Sequence, residues 1–171
     1  MQISDIIERY RLKGEFQKKE LSGDDIQEVV RAALLAMQDE GNSAELYLAD
    51  EPQLLQRLAD SREHGAESIA HCAIAFAITA DRLYDGAWVE HCSSAAWMIC
   101  MQAAELGISY SNIQIRGYSL SDGTMADDVV RGILDIPEGQ TVYSIVALGY
   151  AKDEQEPPTD DSLKWEKIHI K

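Results

Sequence analysis

Between residues 22 and 38 the apolar side chains return at Ile26, Val29, Val30, Ala33, Leu34 and Met37. That is the i, i+3, i+4, i+7 spacing of a helix with one face in a core. Ser22-Gly23-Asp24-Asp25, just ahead of it, has the form of a capping box, with a hydroxyl at the N-cap and a carboxylate three residues on. Ser4 to Tyr10 reads as a short opening helix with Ile6, Ile7 and Tyr10 on one side. Glu45-Leu46-Tyr47-Leu48 alternates as a strand. Asp50 is expected to cap the next helix, which has Pro52 in its first turn and Leu54, Leu55 and Leu58 inside.

Residues 68–80, SIAHCAIAFAITA, form a nearly unbroken apolar run suited to a strand buried on both faces. From Trp88 to Leu106 the pattern is helical, with two apolar stripes. Trp88, Cys92, Ala95, Ile99 and Ala103 make the first; Val89, Ala96, Trp97, Cys100 and Ala104 make the second. A helix apolar all round must be covered all round, and one short protomer has little material for that, so the second stripe is read as a dimer contact. Gly107 ends this helix, and Ile113 and Ile115 alternate with Gln114 and Arg116 as a strand. Thr124 to Asp127 offers a second capping box, for a helix reaching Leu134. Pro137-Glu138-Gly139 then turns the chain into a strand from Thr141 to Tyr150. Helices and strands mixed without βαβ alternation predict one α+β domain over residues 1–150. Residues 151–171 form an extended arm whose Leu163, Trp165 and Ile168 require a surface to pack on, a partner's or the chain's own.

Charge changes the picture next. The 171 residues carry 30 acids against 15 lysines and arginines, a formal charge of −15. Nucleic acids and anionic membrane surfaces call for the opposite sign, so both drop out as partners. The apolar runs Cys72–Ala80 and Ala95–Met101 are too short to span a bilayer, and no signal peptide precedes them. Three cysteines without framework spacing read as reduced thiols. The expectation is a soluble cytoplasmic protein.

Candidate chemistry is sparse. The closest glycines are six residues apart, so neither a GxGxxG turn nor a Walker loop can form, and a bound phosphate must be held by side chains. Arg9, Arg11 and Lys13 alternate, and an extended backbone points all three one way, as a phosphate monoester requires. The same cluster also reads as a solvated basic turn. The doublets His71-Cys72 and His91-Cys92 lack metal-site spacing and read as core or interface residues, so no metal is expected. Neighbouring Cys92, Ser93 and His91 diverge on a helix, and no nucleophile–base pair emerges. Asn42, after Gly41, either closes a turn or offers its amide to a heterocycle.

Taken in order, several segments resemble the FMN-dependent nitroreductases. Glu8-Arg9-Tyr10-Arg11-Leu12-Lys13 with Phe16 is similar to that family's N-terminal basic box. Gly41-Asn42 before the first strand, and Trp88 to Ile108 with its Leu106-Gly107 ending, resemble the family's Gly-Asn and central interface helix. Ile136-Pro137-Glu138-Gly139, Ile145 to Tyr150 and the tail Leu163 to His169 follow in the family's order. The chain departs from it where Met37-Gln38-Asp39-Glu40 replaces an Ala-Pro-Ser loop and Arg11 replaces a serine.

The resemblance implies a nitroreductase-like fold, a central mainly antiparallel sheet flanked by helices, in an intertwined homodimer with FMN at the interface. It implies that Arg9, Arg11 and Lys13 hold the FMN phosphate, with Lys164 the nearest C-terminal basic residue to join them. Asn42 would contact the isoalloxazine, and Asn112, Ile113 and Gln114 would meet its reactive edge. The implied reaction is ping-pong: NADH or NADPH reduces FMN, which reduces a nitroaromatic, quinone or flavin-like acceptor. No side chain need act as acid, base or nucleophile. A degenerate member, a non-catalytic flavin binder or dimeric interaction protein, is the alternative.

Overall fold

The computed structural model describes Arg11, residues 15–153, Glu156 and residues 159–171. The expected opening helix, together with Arg9 and Lys13, lies outside the described residues. The elements run α1 (Gly23–Ala36), β1 (Glu45–Ala49), α2 (Pro52–Ala59), a 3-10 turn (Glu67–His71), β2 (Ile74–Ala80), α3 (Trp88–Glu105), β3 (Ser109–Gln114), α4 (Ala126–Leu134) and β4 (Thr141–Gly149). All strand pairs are antiparallel, in the order β1-β2-β4-β3, which leaves β1 and β3 at opposite edges. The fold is α+β, with a four-stranded antiparallel sheet flanked by helices.

Helices cover both faces of the sheet. On one face α1 and α3 enclose a core of Val29, Ala33, Phe76, Ile78, Ile99, Val146 and Leu148. On the other, α2, α4 and the 3-10 turn cover Leu55, Leu58, Ile69, Ile113, Val130 and Ile145. With a core on each side, every residue of β2 is buried, which is why that segment has no polar alternation.

The Ser22 box forms as its residues dictate. Ser22 Oγ accepts from Asp25 N at 3.1 Å and donates to the Asp25 carboxylate at 2.7 Å. Gly107, at φ +78, closes α3 with its N–H on Ala104 O, and Ile108 N returns to Ala103 O.

Several expectations need correction. The strand expected over 68–80 begins only at Ile74. Residues 67–71 curl into the 3-10 turn because Ile69 and Cys72 both reach the second core from a bend. Asp50 does not cap α2: Glu51 is the N-cap, without a side-chain bond, and Pro52 opens the helix. The Thr124 box does not form either. Met125 is the N-cap of α4, and Asp127 is diverted to Val142 N at 2.6 Å and to Arg131.

The second stripe of α3 is only partly a free surface. Ala96, Cys100 and Ala104 are fully buried within this chain, in the core that α3 shares with α1 and the sheet. Trp97 and Met98, 47% and 40% exposed, are what remains outside. In the tail, Leu163, Trp165 and Ile168 find no cover on their own protomer and stay exposed.

Candidate functional site

The outer edge of β3, away from β4, is the first component. Asn112 lies opposite Val146 and Gln114 opposite Ser144, so both side chains project on the α3 side, and both are exposed. Ile113 points to the other face and is 3% exposed, packed in the second core. The Gln114 carbonyl accepts a 2.8 Å hydrogen bond from Arg62 Nη1, which lies outside the β3–β4 ladder. In an antiparallel ladder successive residues turn their main-chain groups alternately toward and away from the partner strand. Asn112 and Gln114 therefore turn their main-chain groups to the outer edge and their side chains to the α3 face, with the Gln114 carbonyl taken by Arg62, while Ile113 turns its main chain to β4.

Arg11 is the second component. It is exposed and makes a parallel bridge to Tyr110, which places a guanidinium-bearing segment alongside the start of β3. Burial holds the Tyr110 phenol above its ordinary value and the Cys100 thiol adds to this, against the opposing pull of Arg11. Trp97 meets the Tyr110 ring edge-on at 6.3 Å, Trp88 meets Tyr143 likewise at 6.4 Å, and the Arg116 guanidinium lies 5.4 Å over Trp88. Aromatic rings and guanidinium groups thus border the face on which Asn112 and Gln114 project.

Asn42 belongs to a different place. Its Oδ1 accepts from Ala44 N at 2.9 Å and its Nδ2 reaches Ala36 O at 3.5 Å, so the side chain closes the α1–β1 turn. That turn leads into β1, three strand spacings or about 14 Å from β3. Within one chain, Asn42 and Asn112 do not meet. Lys164 stands in the exposed tail, beside a 3-10 turn. Arg11, Asn112 and Gln114 share the β3 edge, and Asn42 lies at the other edge of the sheet.

A polar knot beside Asn42 went unread in the sequence. Asp85, 3% exposed, accepts hydrogen bonds from Ser43 N (3.1 Å), Ser43 Oγ (3.3 Å), Ala87 N (2.9 Å) and the His91 ring at Nδ1 (2.7 Å). Burial would raise the Asp85 pKa; the bonds from His91, Ser43 and Ala87 outweigh it and hold the carboxyl below its usual range. His91 is thus a partner of Asp85 rather than a core residue. Arg62 also went unnoticed, since nothing local marks a residue that acts 52 positions away. The cysteines supply no nucleophile: burial is the main cause that pushes Cys72, Cys92 and Cys100 up to about 12.

No protein-family model matches the chain. A protein of Archaeoglobus fulgidus, provisionally named an NADH dehydrogenase/NAD(P)H nitroreductase, is 28% identical over 162 residues, covering 90% of this chain and 88% of its own. An FMN-dependent nitroreductase from Clostridium difficile R20291 superposes with a TM-score of 0.91 at 28% identity, over 99% of this chain and 98% of its own. The chain is similar to nitroreductases in sequence and in fold over nearly its full length. A nitroreductase with bound FMN from Desulfitobacterium hafniense shares the fold at a TM-score of 0.67 and 17% identity, over 96% of this chain and 98% of its own. The nitroreductase fold thus spans the whole chain, tail included.

The donor chemistry fits a flavin nucleotide. A phosphate wants the cation of Arg11. The pyrimidine edge of an isoalloxazine wants the mixed donors and acceptors of Asn112 and Gln114, and its flat ring wants aromatic and apolar neighbours.

Proposed function

We propose that this chain is an FMN-dependent oxidoreductase of the nitroreductase family that works as a homodimer. The observation that carries the reading is the outer edge of β3, where the main chain of Asn112 and the exposed side chains of Asn112 and Gln114 stand on the same strand that Arg11 bridges at Tyr110. Arg11, with Arg9 and Lys13, holds the phosphate. Asn112 and Gln114 hold the polar edge of the ring and fix its orientation. Asn42 reaches that ring from the other protomer, because its own β3 lies across the sheet. FMN, when bound, supplies the two-electron chemistry, taking a hydride from NADH or NADPH and delivering it to a nitroaromatic, quinone or flavin-like acceptor. The protein's own residues bind and orient both reactants in turn at one face; none transfers a proton as an essential acid or base.

Residues 151–171 act as an arm on the partner subunit. Leu163, Trp165, Ile168 and Ile170 are exposed on their own protomer. An apolar groove of 470 Å³ lined by Val30, Leu34, Met37, Leu46 and Leu48 lies along the open β1 edge and supplies a complementary surface.

A non-catalytic flavin-binding or dimeric role is the second reading. Two observations favour it: Asp39 and Glu40 stand exposed in the loop before Asn42, and the Asn42 amide is already engaged in its turn.

Charge reversal tests the phosphate site. Arg9→Glu with Arg11→Glu and Lys13→Glu is expected to abolish FMN retention while leaving the thermal transition of the apoprotein in place. Unchanged flavin content in that variant sinks the assignment.

A further inference from the structure

Arg62 lies outside every segment that resembles the family, and the flavin reading above gives it no task. Its surroundings are nevertheless specific. It follows Ser61, whose Oγ is buried on Leu58 O at 2.7 Å, so the end of α2 is fixed where Arg62 leaves it. From there Arg62 Nη1 donates to Gln114 O at 2.8 Å, and the guanidinium carbon stands 3.6 Å over the Tyr118 ring. Gly65, at φ +85, turns the chain back close beside the guanidinium: a methyl there would come within 3.4 Å of Arg62 Nη2. The neighbouring residue, Glu63, accepts a 2.8 Å bond from Ser121 N. Residues 62 and 63 thus grip both ends of the loop that follows β3.

That grip falls on the outer edge of β3, which carries no further strand pairing among the described residues beyond the Arg11–Tyr110 bridge. Gln114 is the last residue of β3, and beyond it Ile115 N and Arg116 N both turn to Tyr143 O. An edge strand so close to its end is the kind of segment that slips or frays, and among the described residues no strand pairs the outer side of Gln114. A guanidinium on the Gln114 carbonyl substitutes for the missing neighbour, and its charge makes that bond stronger than a neutral one. Stacking on Tyr118 fixes the guanidinium in turn and draws the 115–121 loop toward α2, away from the edge.

We infer that Arg62 is a positioning residue for the β3 edge, holding Asn112 and Gln114 in the outward register in which they meet a bound flavin. The inference rests on the flavin reading of that edge. Lysine keeps the charge and one donor but loses the planar stack, so it is a partial substitute.

The test compares the parent with Arg62→Ala and Arg62→Lys. In the flavin-free proteins, amide hydrogen exchange over residues 110–121 is expected to rise about tenfold or more in Arg62→Ala and less in Arg62→Lys, with α3 and β2 unchanged. In proteins reconstituted with FMN, the dissociation constant is expected to rise about tenfold in Arg62→Ala and the flavin midpoint potential to move, with Arg62→Lys intermediate. Faster exchange without any change in FMN affinity or potential overturns the positioning role, as does unchanged exchange. A parent that binds no FMN overturns the flavin reading and this inference together. A parent that binds FMN as tightly as Arg62→Ala overturns this inference alone.

Discussion

Asp85 Oδ2 lies 2.7 Å from His91 Nδ1, and this contact joins the loop after β2 to the first turn of α3. The same oxygen takes both the N–H and the hydroxyl of Ser43, so one buried carboxylate ties together the Asn42 turn, the β2–α3 loop and the central helix. Removing it leaves donors unpaired in a closed space. Asp85→Ala is expected to cost about 2–4 kcal/mol in urea unfolding, and His91→Ala only about 1 kcal/mol, because the main-chain donors remain paired in the second variant. Equal losses would show that the pair to His91, and not the knot, carries the stability.

The same knot sets a pH dependence. Asp85 titrates below its unfolded value of about 3.9 in the folded protein, so its stabilising contribution is present above about pH 4 and is lost as pH falls through the lowered folded value. The difference in thermal midpoint between the parent and Asp85→Ala should therefore be full at pH 6 and shrink toward pH 2.5. A difference that stays constant over that range contradicts the assignment.

Gly149 is fixed by contact. A Cβ there would stand 2.8 Å from Phe16 Cδ1 and 3.3 Å from Ala73 N, and Phe16 is only 5% exposed. Gly149→Ala is expected to destabilise by about 1–3 kcal/mol by overpacking. Phe16→Leu should recover part of that loss, so the two changes are expected to be non-additive in a double-mutant cycle.

The thiols should be inert while the fold holds. With Cys72, Cys92 and Cys100 each at about 12, the thiolate fraction at pH 8 is on the order of one in ten thousand. An aromatic disulfide reagent should label none of the three in the native protein within minutes, and all of them in guanidinium. Rapid native labelling of Cys92 or Cys100 would mean that α3 opens locally.

Where a single face decides an element, the sequence is readable. The α1 periodicity and the Ser22–Asp25 box place that helix directly, since a cap and an apolar stripe are local features. The run 68–80 misleads because burial alone does not distinguish a strand from a bend: Ile69 and Cys72 are as buried as Ile74. For α3, the pattern reports that Ala96 and Cys100 are covered but not by what, and the chain's own core covers them. The site suffers similarly. That Asn42 and Asn112 sit on opposite edges follows from the order β1-β2-β4-β3, and no spacing along the chain encodes it. Neither does any local motif connect Arg62 to Gln114 or Asp85 to Ser43; each pair is made by the closing of the fold.

The central claim is that this chain holds FMN and passes electrons through it. The most direct measurement is the visible absorption spectrum of the protein after incubation with FMN and desalting, followed by titration with NADH and NADPH under anaerobic conditions. The account predicts two flavin bands that survive desalting, about one flavin per protomer, and bleach on addition of a nicotinamide. Flavin bands that persist without bleaching would favour the non-catalytic reading, and a colourless protein would contradict the cofactor assignment outright.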